Sequence, residues 1–152
     1  MKSRRTTVIG AVSAIGLLAG ACSDSRPSAE AFADRVTSIC AATQQRHDEA
    51  ARGFDFESFN PDFSNLATIV PVIEKNVAIG REANSELKKV RGPKAQEEKL
   101  ERYVTVAAQM HALGDKEADA ARRGDRTAFK ALTAEEDALV AKLPKDGAFE
   151  GC

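Results

Sequence analysis

The chain has 152 residues, of which 22 are basic and 23 acidic, so its formal net charge is −1. The first 21 residues hold three of the basic residues and none of the acidic ones, so the other 131 carry 19 basic against 23 acidic residues, a net charge of about −4. A length of this size suits one compact domain and is too short for two. The acidic balance argues against binding to nucleic acid and against electrostatic attraction to anionic lipid.

The N-terminal segment has the pattern of an export signal. Lys2, Arg4 and Arg5 precede an uncharged apolar stretch of 14 residues, which ends in small residues just before Cys22. A transmembrane helix needs about 20 predominantly apolar residues, so this stretch is too short to span a membrane. We predict that residues 1–21 are a cleaved signal peptide, that residues 22–27 are a linker, and that residues 28–152 form a single domain.

The segment Leu18-Ala19-Gly20-Ala21-Cys22 resembles the lipobox of bacterial lipoproteins. The resemblance implies that Cys22 carries a diacylglyceryl group and further fatty acid such as palmitate, which would hold the protein on the outer side of the cell membrane. Two or more acyl chains anchor a protein stably without help from its surface charge.

Two alternatives remain open for export. Ala19-Gly20-Ala21 also fits an A-x-A cleavage site, which would release a secreted protein with Cys22 free. Ser3-Arg4-Arg5 resembles part of a twin-arginine signal, although Thr7 stands where that signal has an apolar residue, so the general and twin-arginine routes both remain possible.

The three cysteines bear on the same question. An exported domain with an odd number of cysteines keeps one unpaired thiol. Lipidation of Cys22 would leave Cys40 and Cys152 as a pair, and we expect a disulfide that ties the C-terminus to the first helix.

The apolar residues behind the signal recur at helical spacing. A first helix is expected from its N-cap Ser28 to Gly53, and a second from Leu66 to Gly92-Pro93, with Pro71 either kinking that helix or marking its first turn. A third stretch runs from Leu100 to Gly124, and a fourth from about Asp125 to Pro144. Because no stretch alternates with period two and the connections are short, we predict an all-α fold: a small antiparallel four-helix bundle, or a helical hairpin with additional helices.

A second resemblance covers nearly the whole chain. The lipobox, Ile39-Cys40-Ala41-Ala42 in an Ala-rich first helix, Ala-Arg-Arg-Gly-Asp before the last helix and the ending Gly151-Cys152 are similar to a broad group of small actinobacterial lipoproteins. The resemblance implies a helical fold and an envelope location, and it implies no chemistry.

Two histidines are the candidate metal ligands. His47 and His111 lie on inward-facing positions of the first and third helices, where they could share one layer and bind a metal together with Glu82. Two histidines without a Glu-x-x-His repeat are more often partly buried polar residues, so we predict no metal site and no cofactor.

Four phenylalanines crowd the loop after the first helix, at Phe54, Phe56, Phe59 and Phe63. The ordinary interpretation is that they close the end of the bundle. The functional interpretation is a contact patch for a protein partner or an apolar ligand, on the side away from the membrane.

The remaining motifs have structural explanations. Arg123-Gly124-Asp125 fits a helix-to-helix turn, with Gly ending one helix and Asp capping the next. Glu97-Glu98 and Glu135-Glu136-Asp137 are read as solvated helix faces, with Thr133 and Glu136 fitting a capping box. Nucleophile elbows, phosphate loops and helical zinc motifs are absent from the sequence, so we predict that the protein is not an enzyme.

Two functions therefore compete. One is a lipid-anchored envelope protein with a structural or protein-interaction role; the other is a lipoprotein that carries a small apolar ligand or a metal in its bundle. A filled core around Val77, Val104 and His111 favours the first, and a pocket of several hundred Å³ there favours the second.

Overall fold

The computed structural model describes residues 26–55, 65–145, 147–149 and 152, and these residues form helices and no strand. The helices are α1 Ala29–Ala51, α2 Leu66–Leu87, α3 Lys94–Arg122 and α4 Arg126–Val140, followed by a single 3-10 turn, Gly147–Phe149. The predicted all-α bundle is confirmed. The predicted signal peptide, residues 1–21, and the predicted lipidation site Cys22 lie outside the described residues.

The ends of the helices follow the predicted capping signals at three places. The Ser28 side chain accepts a hydrogen bond of 3.1 Å from the backbone N–H of Ala31, as an N-cap does. Past the end of α1, Gly53 has a φ of 85°, which L side chains rarely adopt. Gly124, with a φ of 66°, and Asp125, whose side chain accepts from Ala128 N at 3.0 Å, form the turn from α3 to α4.

Two local predictions are wrong, and one of the two alternatives for Pro71, a place in the first turn of the helix, is excluded. The second helix ends at Leu87 rather than at Gly92, and Pro93 stands directly before α3, where its missing N–H costs nothing. Pro71 lies inside α2 beyond its first turn, so the helix lacks the usual hydrogen bond to the carbonyl four residues earlier. Thr133 lies inside α4 and caps nothing, because Asp125 is the N-cap of that helix.

The helices pack around the hairpin of α2 and α3. Helix α1 packs on α2, α4 packs on α3, and the 3-10 turn packs on α1. Their buried apolar side chains form two separate clusters. The Phe32 cluster joins α1, the C-terminal half of α2, the N-terminal half of α3 and Phe149, and the Phe129 cluster joins the N-terminal half of α2, the C-terminal half of α3 and α4.

The C-terminal tail completes the fourth side of the bundle. Helix α4 has only 15 residues and covers one half of α3, and the tail returns to α1 beside the other half. There the sulfurs of Cys40 and Cys152 lie at bonding distance, with their Cα atoms 4.9 Å apart, as a disulfide requires. Phe149 is buried in the Phe32 cluster and stacks on Tyr103, with ring centroids 5.5 Å apart.

Candidate functional site

Two half-open cavities adjoin at mid-height of the bundle, the first of them against the Phe32 cluster and the second beside α4. The Asn84 cavity has a volume of about 150 Å³, and the Glu117 cavity one of about 320 Å³. The two adjoin, because His47, Met110 and His111 line both. The Glu117 cavity is further lined by Ile73, Asn76, Val77, Gly114, Glu117 and Glu136.

Glycines bring helices α2 and α3 together at this level. A methyl group on Gly80 would overlap the ring of His111, and one on Gly114 would overlap a methyl group of Val77. The glycines therefore set the position of the His111 ring against the backbone of α2. The helices touch at these points, and the space beside the contacts stays open.

The two histidines face the cavities in defined states. Nδ1 of His47 is 2.9 Å from Oδ1 of Asn76, and because an amide oxygen only accepts, Nδ1 donates this hydrogen bond. A neutral His47 then carries its acceptor at Nε2. Burial lowers the pKa of His111, and the positive charge of Arg81 lowers it further, so this ring is neutral at pH 7.

Glu117 is the least expected residue of the site. The residue is only 6% exposed, and its Oε1 has no hydrogen-bond partner. Burial, reinforced by the neighbouring Glu136, raises the pKa of its carboxyl from 4.5 to about 7. A hydrogen bond from Thr133 opposes the rise, but the single hydroxyl proton of Thr133 is also in reach of the Phe129 carbonyl, at 3.1 Å.

Glu136 adds a second carboxyl from α4. Its side chain is partly buried against the same cavity, and burial together with Asp137 raises its pKa. Neither lysine nor arginine lines the Glu117 cavity in the part of the chain that the structure describes. The prediction that Glu136 belongs to a solvated helix face is therefore wrong.

Asn84 has a similar position in the adjoining cavity. It is 6% exposed, and its Nδ2 donates to the backbone carbonyl of Val104 at 3.0 Å. This bond fixes the orientation of the amide and leaves Oδ1 without a partner. A buried polar atom without a partner costs about 1–3 kcal/mol, so such atoms mark places where water or a ligand belongs.

The candidate metal ligands His47, His111 and Glu82 are not all brought together. The structure brings His47 and His111 to the same cavities, but Glu82 lies on the surface and pairs with Arg46 at 2.5 Å. Across the described residues, no group of three or more His, Cys, Asp or Glu side chains is arranged to hold a metal ion.

Of the other predicted site residues that the structure describes, Cys40 and Cys152 line the Asn84 cavity and Phe54 lines neither cavity. Phe54 is partly buried after α1, whereas Phe56, Phe59 and Phe63 fall in the segment 56–64, which the structure does not describe. Cys152 lines the Asn84 cavity together with Cys40, so the tail forms part of its wall. None of the described helices is long and apolar enough to cross a membrane.

The position of Glu117 in the sequence indicates that its side chain is buried. Glu117 follows Gly114 by three residues and Met110 by seven, which places it on the face that also carries His111. A charged residue on the inner face of an amphipathic helix is unusual enough to mark a candidate site.

Comparisons of the chain with protein-family models, with curated proteins and with solved structures find no match.

Proposed function

We propose that the protein is a lipid-anchored lipoprotein of the cell envelope, without a catalytic role, that binds a small ligand between its helices. The observation that carries the proposal is the polar hollow formed by the two adjoining cavities. The Glu117 cavity, at about 320 Å³, falls at the lower end of the range of small-molecule sites, about 300–1,000 Å³. Val77 and His111 line it, whereas Val104 is buried in the Phe32 cluster, so two of the three residues expected to line a carrier's pocket support a carrier.

The position of the cavities suits a protein anchored at Cys22. His47 is 18 residues from the start of α1, a distance of about 27 Å at about 1.5 Å per residue. If acyl chains on Cys22 hold the start of α1 near the membrane, the cavities lie well above the lipid surface. A ligand could then reach them from the aqueous side.

The proposal predicts that the ligand stays bound when the protein is extracted from membranes in mild detergent. The full chain would be expressed with its own signal, purified from membranes in mild detergent and denatured, and the released small molecules identified by mass spectrometry. We expect one compound in near-stoichiometric amount. Recovery of no enriched compound, from protein that is folded by circular dichroism, would contradict ligand binding.

Two tryptophan variants distinguish ligand binding in the cavities from binding on the surface. Met110 lines both cavities, and Gln109 beside it is exposed. Met110→Trp should fill the space and abolish recovery of the compound, whereas Gln109→Trp should not. The chain has no other tryptophan, so the fluorescence of each variant reports directly whether the new side chain is buried.

A further inference from the structure

The two unpartnered buried atoms of the site have the same chemistry. Oε1 of Glu117 and Oδ1 of Asn84 are both buried hydrogen-bond acceptors, and the two residues line adjoining cavities. A neutral His47 adds a third acceptor, Nε2, because its Nδ1 donates to Asn76. A ligand that satisfies these atoms must supply hydrogen-bond donors.

The charge of the larger cavity is equally one-sided. Glu117 and Glu136 bring two carboxyls, and the arginines of the neighbouring helices point outward: Arg81 pairs with Asp115, and Arg122 pairs with Glu74. These pairs lie on the surface, with side chains about half exposed, and neither arginine is among the causes of the pKa shift of Glu117. A bound cation would balance the negative charge of these two carboxylates in the cavity.

The walls of the cavity define the rest of the ligand. Ile73, Val77 and Met110 present apolar side chains opposite the carboxyls. We propose that the Glu117 cavity binds the ammonium group of a small organic amine at the carboxylate of Glu117, with the hydrocarbon part of the amine against these three side chains. This inference rests on the proposed function and names the chemical class of its ligand.

A proton and the ammonium group of the amine should compete for the carboxylate of Glu117. The ionisable groups that face Glu117 are His47 from α1, His111 from α3, and Glu136 and Asp137 from α4, whereas α2 contributes none. Because the pKa of Glu117 is about 7, a fall from pH 8 to pH 6 protonates this carboxyl and removes the charge that attracts the ammonium group. The affinity for the amine should fall over this interval.

The test compares two compounds of similar shape with the full chain in detergent. Cyclohexylammonium and cyclohexanol share a ring and differ in the charged donor group. By isothermal titration calorimetry at pH 8, cyclohexylammonium should bind at least about tenfold more tightly, since hydrogen bonds to charged groups contribute about 1.5–3 kcal/mol. Its affinity should weaken as the pH falls to 6.

Glu117→Gln and Glu135→Gln form a matched pair for this test. Both remove one carboxylate, but Glu135 is exposed on α4. We expect Glu117→Gln to lower the affinity for cyclohexylammonium at least about tenfold and to reduce its pH dependence to the part that comes from Glu136, and Glu135→Gln to change neither. Circular dichroism of the Glu117→Gln variant verifies its fold.

The possible failures are distinguishable. Equal binding of cyclohexanol and cyclohexylammonium, or loss of affinity in both variants alike, would overturn the inference and leave a neutral-ligand carrier in place. Binding of Zn²⁺ alone, without either ring compound, would also overturn it. Absence of any bound compound in the membrane extraction described above would overturn the proposed function itself.

Discussion

A buried carboxylate in the ligand-free site should destabilise the fold at neutral and alkaline pH. Glu117 is 6% exposed, and its Oε1 has no partner. Glu117→Gln keeps the shape of the side chain and removes the negative charge. The variant should therefore be more stable than the natural protein, but only at pH values where Glu117 would be ionised.

The sign and size follow from the pKa of Glu117. This pKa rises from 4.5 to about 7 on folding, so between these values the folded state retains a proton that the unfolded chain has lost. Stability therefore falls as the pH rises from about 4.5 to about 7 and changes no further above it. A tenfold change in proton affinity corresponds to about 1.4 kcal/mol, so the whole step amounts to about 3 kcal/mol. That is a large part of the about 5–15 kcal/mol typical of a folded domain.

Urea unfolding followed by circular dichroism at pH 5 and pH 8 measures this effect. The difference in unfolding free energy between Glu117→Gln and the natural chain should be small at pH 5, and at pH 8 it should approach about 3 kcal/mol in favour of the variant. Glu135→Gln, with an exposed side chain on α4, should show no such step. Other titrating groups cancel because each comparison is made at one pH.

An equal difference at both pH values would refute the reasoning. It would mean that Glu117 titrates in the folded protein as it does in the unfolded chain, through contact with water or an unseen cation. A stabilisation of similar size in Glu135→Gln would refute it too, because the cause would then be general charge repulsion.

Three further predictions concern other parts of the chain. Gly114→Ala should lower the unfolding free energy by about 1–2 kcal/mol in urea titrations. The new methyl group would overlap the β-branched side chain of Val77, which cannot rotate freely, and the cost of this overlap exceeds the gain in helix propensity. An increase in stability would contradict this packing. Cys152→Ser should lower the unfolding free energy by up to about 4–5 kcal/mol, since the bridge to Cys40 closes a loop with a sequence separation of 112, and the exported protein should have no alkylatable thiol; two reactive thiols in the native protein would exclude the bridge. Cys22→Ala should move the protein from the membrane fraction to the medium or block its maturation, and recovery of the mature variant in membranes at the normal level would contradict acyl anchoring.

Helix periodicity predicted the fold well because each helix has one strongly apolar face. It predicted poorly which residues outside that face are also buried. Ile79 on α2 and Leu113 on α3 are buried although they lie off the principal apolar stripe, since each of these helices packs against two neighbours. In α4, Leu139 is buried whereas Val140 is 38% exposed, because adjacent side chains point in different directions on a helix.

The candidate site was only half predictable for a related reason. His47 and His111 were recognisable because histidines on inner faces are conspicuous. Glu117 was recognisable only by its spacing from Gly114 on the inner face of α3. Glu136 was not recognisable, because glutamate is so common on exposed helix faces that its burial cannot be inferred without knowing which helix packs on which. The cavity itself depends on how Gly80, Gly114 and the short α4 fit together, and one-dimensional patterns do not contain that information.

The separation of the Phe32 and Phe129 clusters has a consequence for how the protein opens. Clusters divided by a hollow polar layer share few contacts, so the two halves should behave as distinct cooperative units in hydrogen exchange. Backbone amide hydrogens in the half that contains the Phe32 cluster and the Cys40–Cys152 bridge should exchange slowly. The opposite half, packed largely with the small side chains Ala118, Ala120 and Ala121, should open more often. Since the Glu117 cavity lies on the border, a ligand could enter through that local opening while the bridged half of the molecule stays folded.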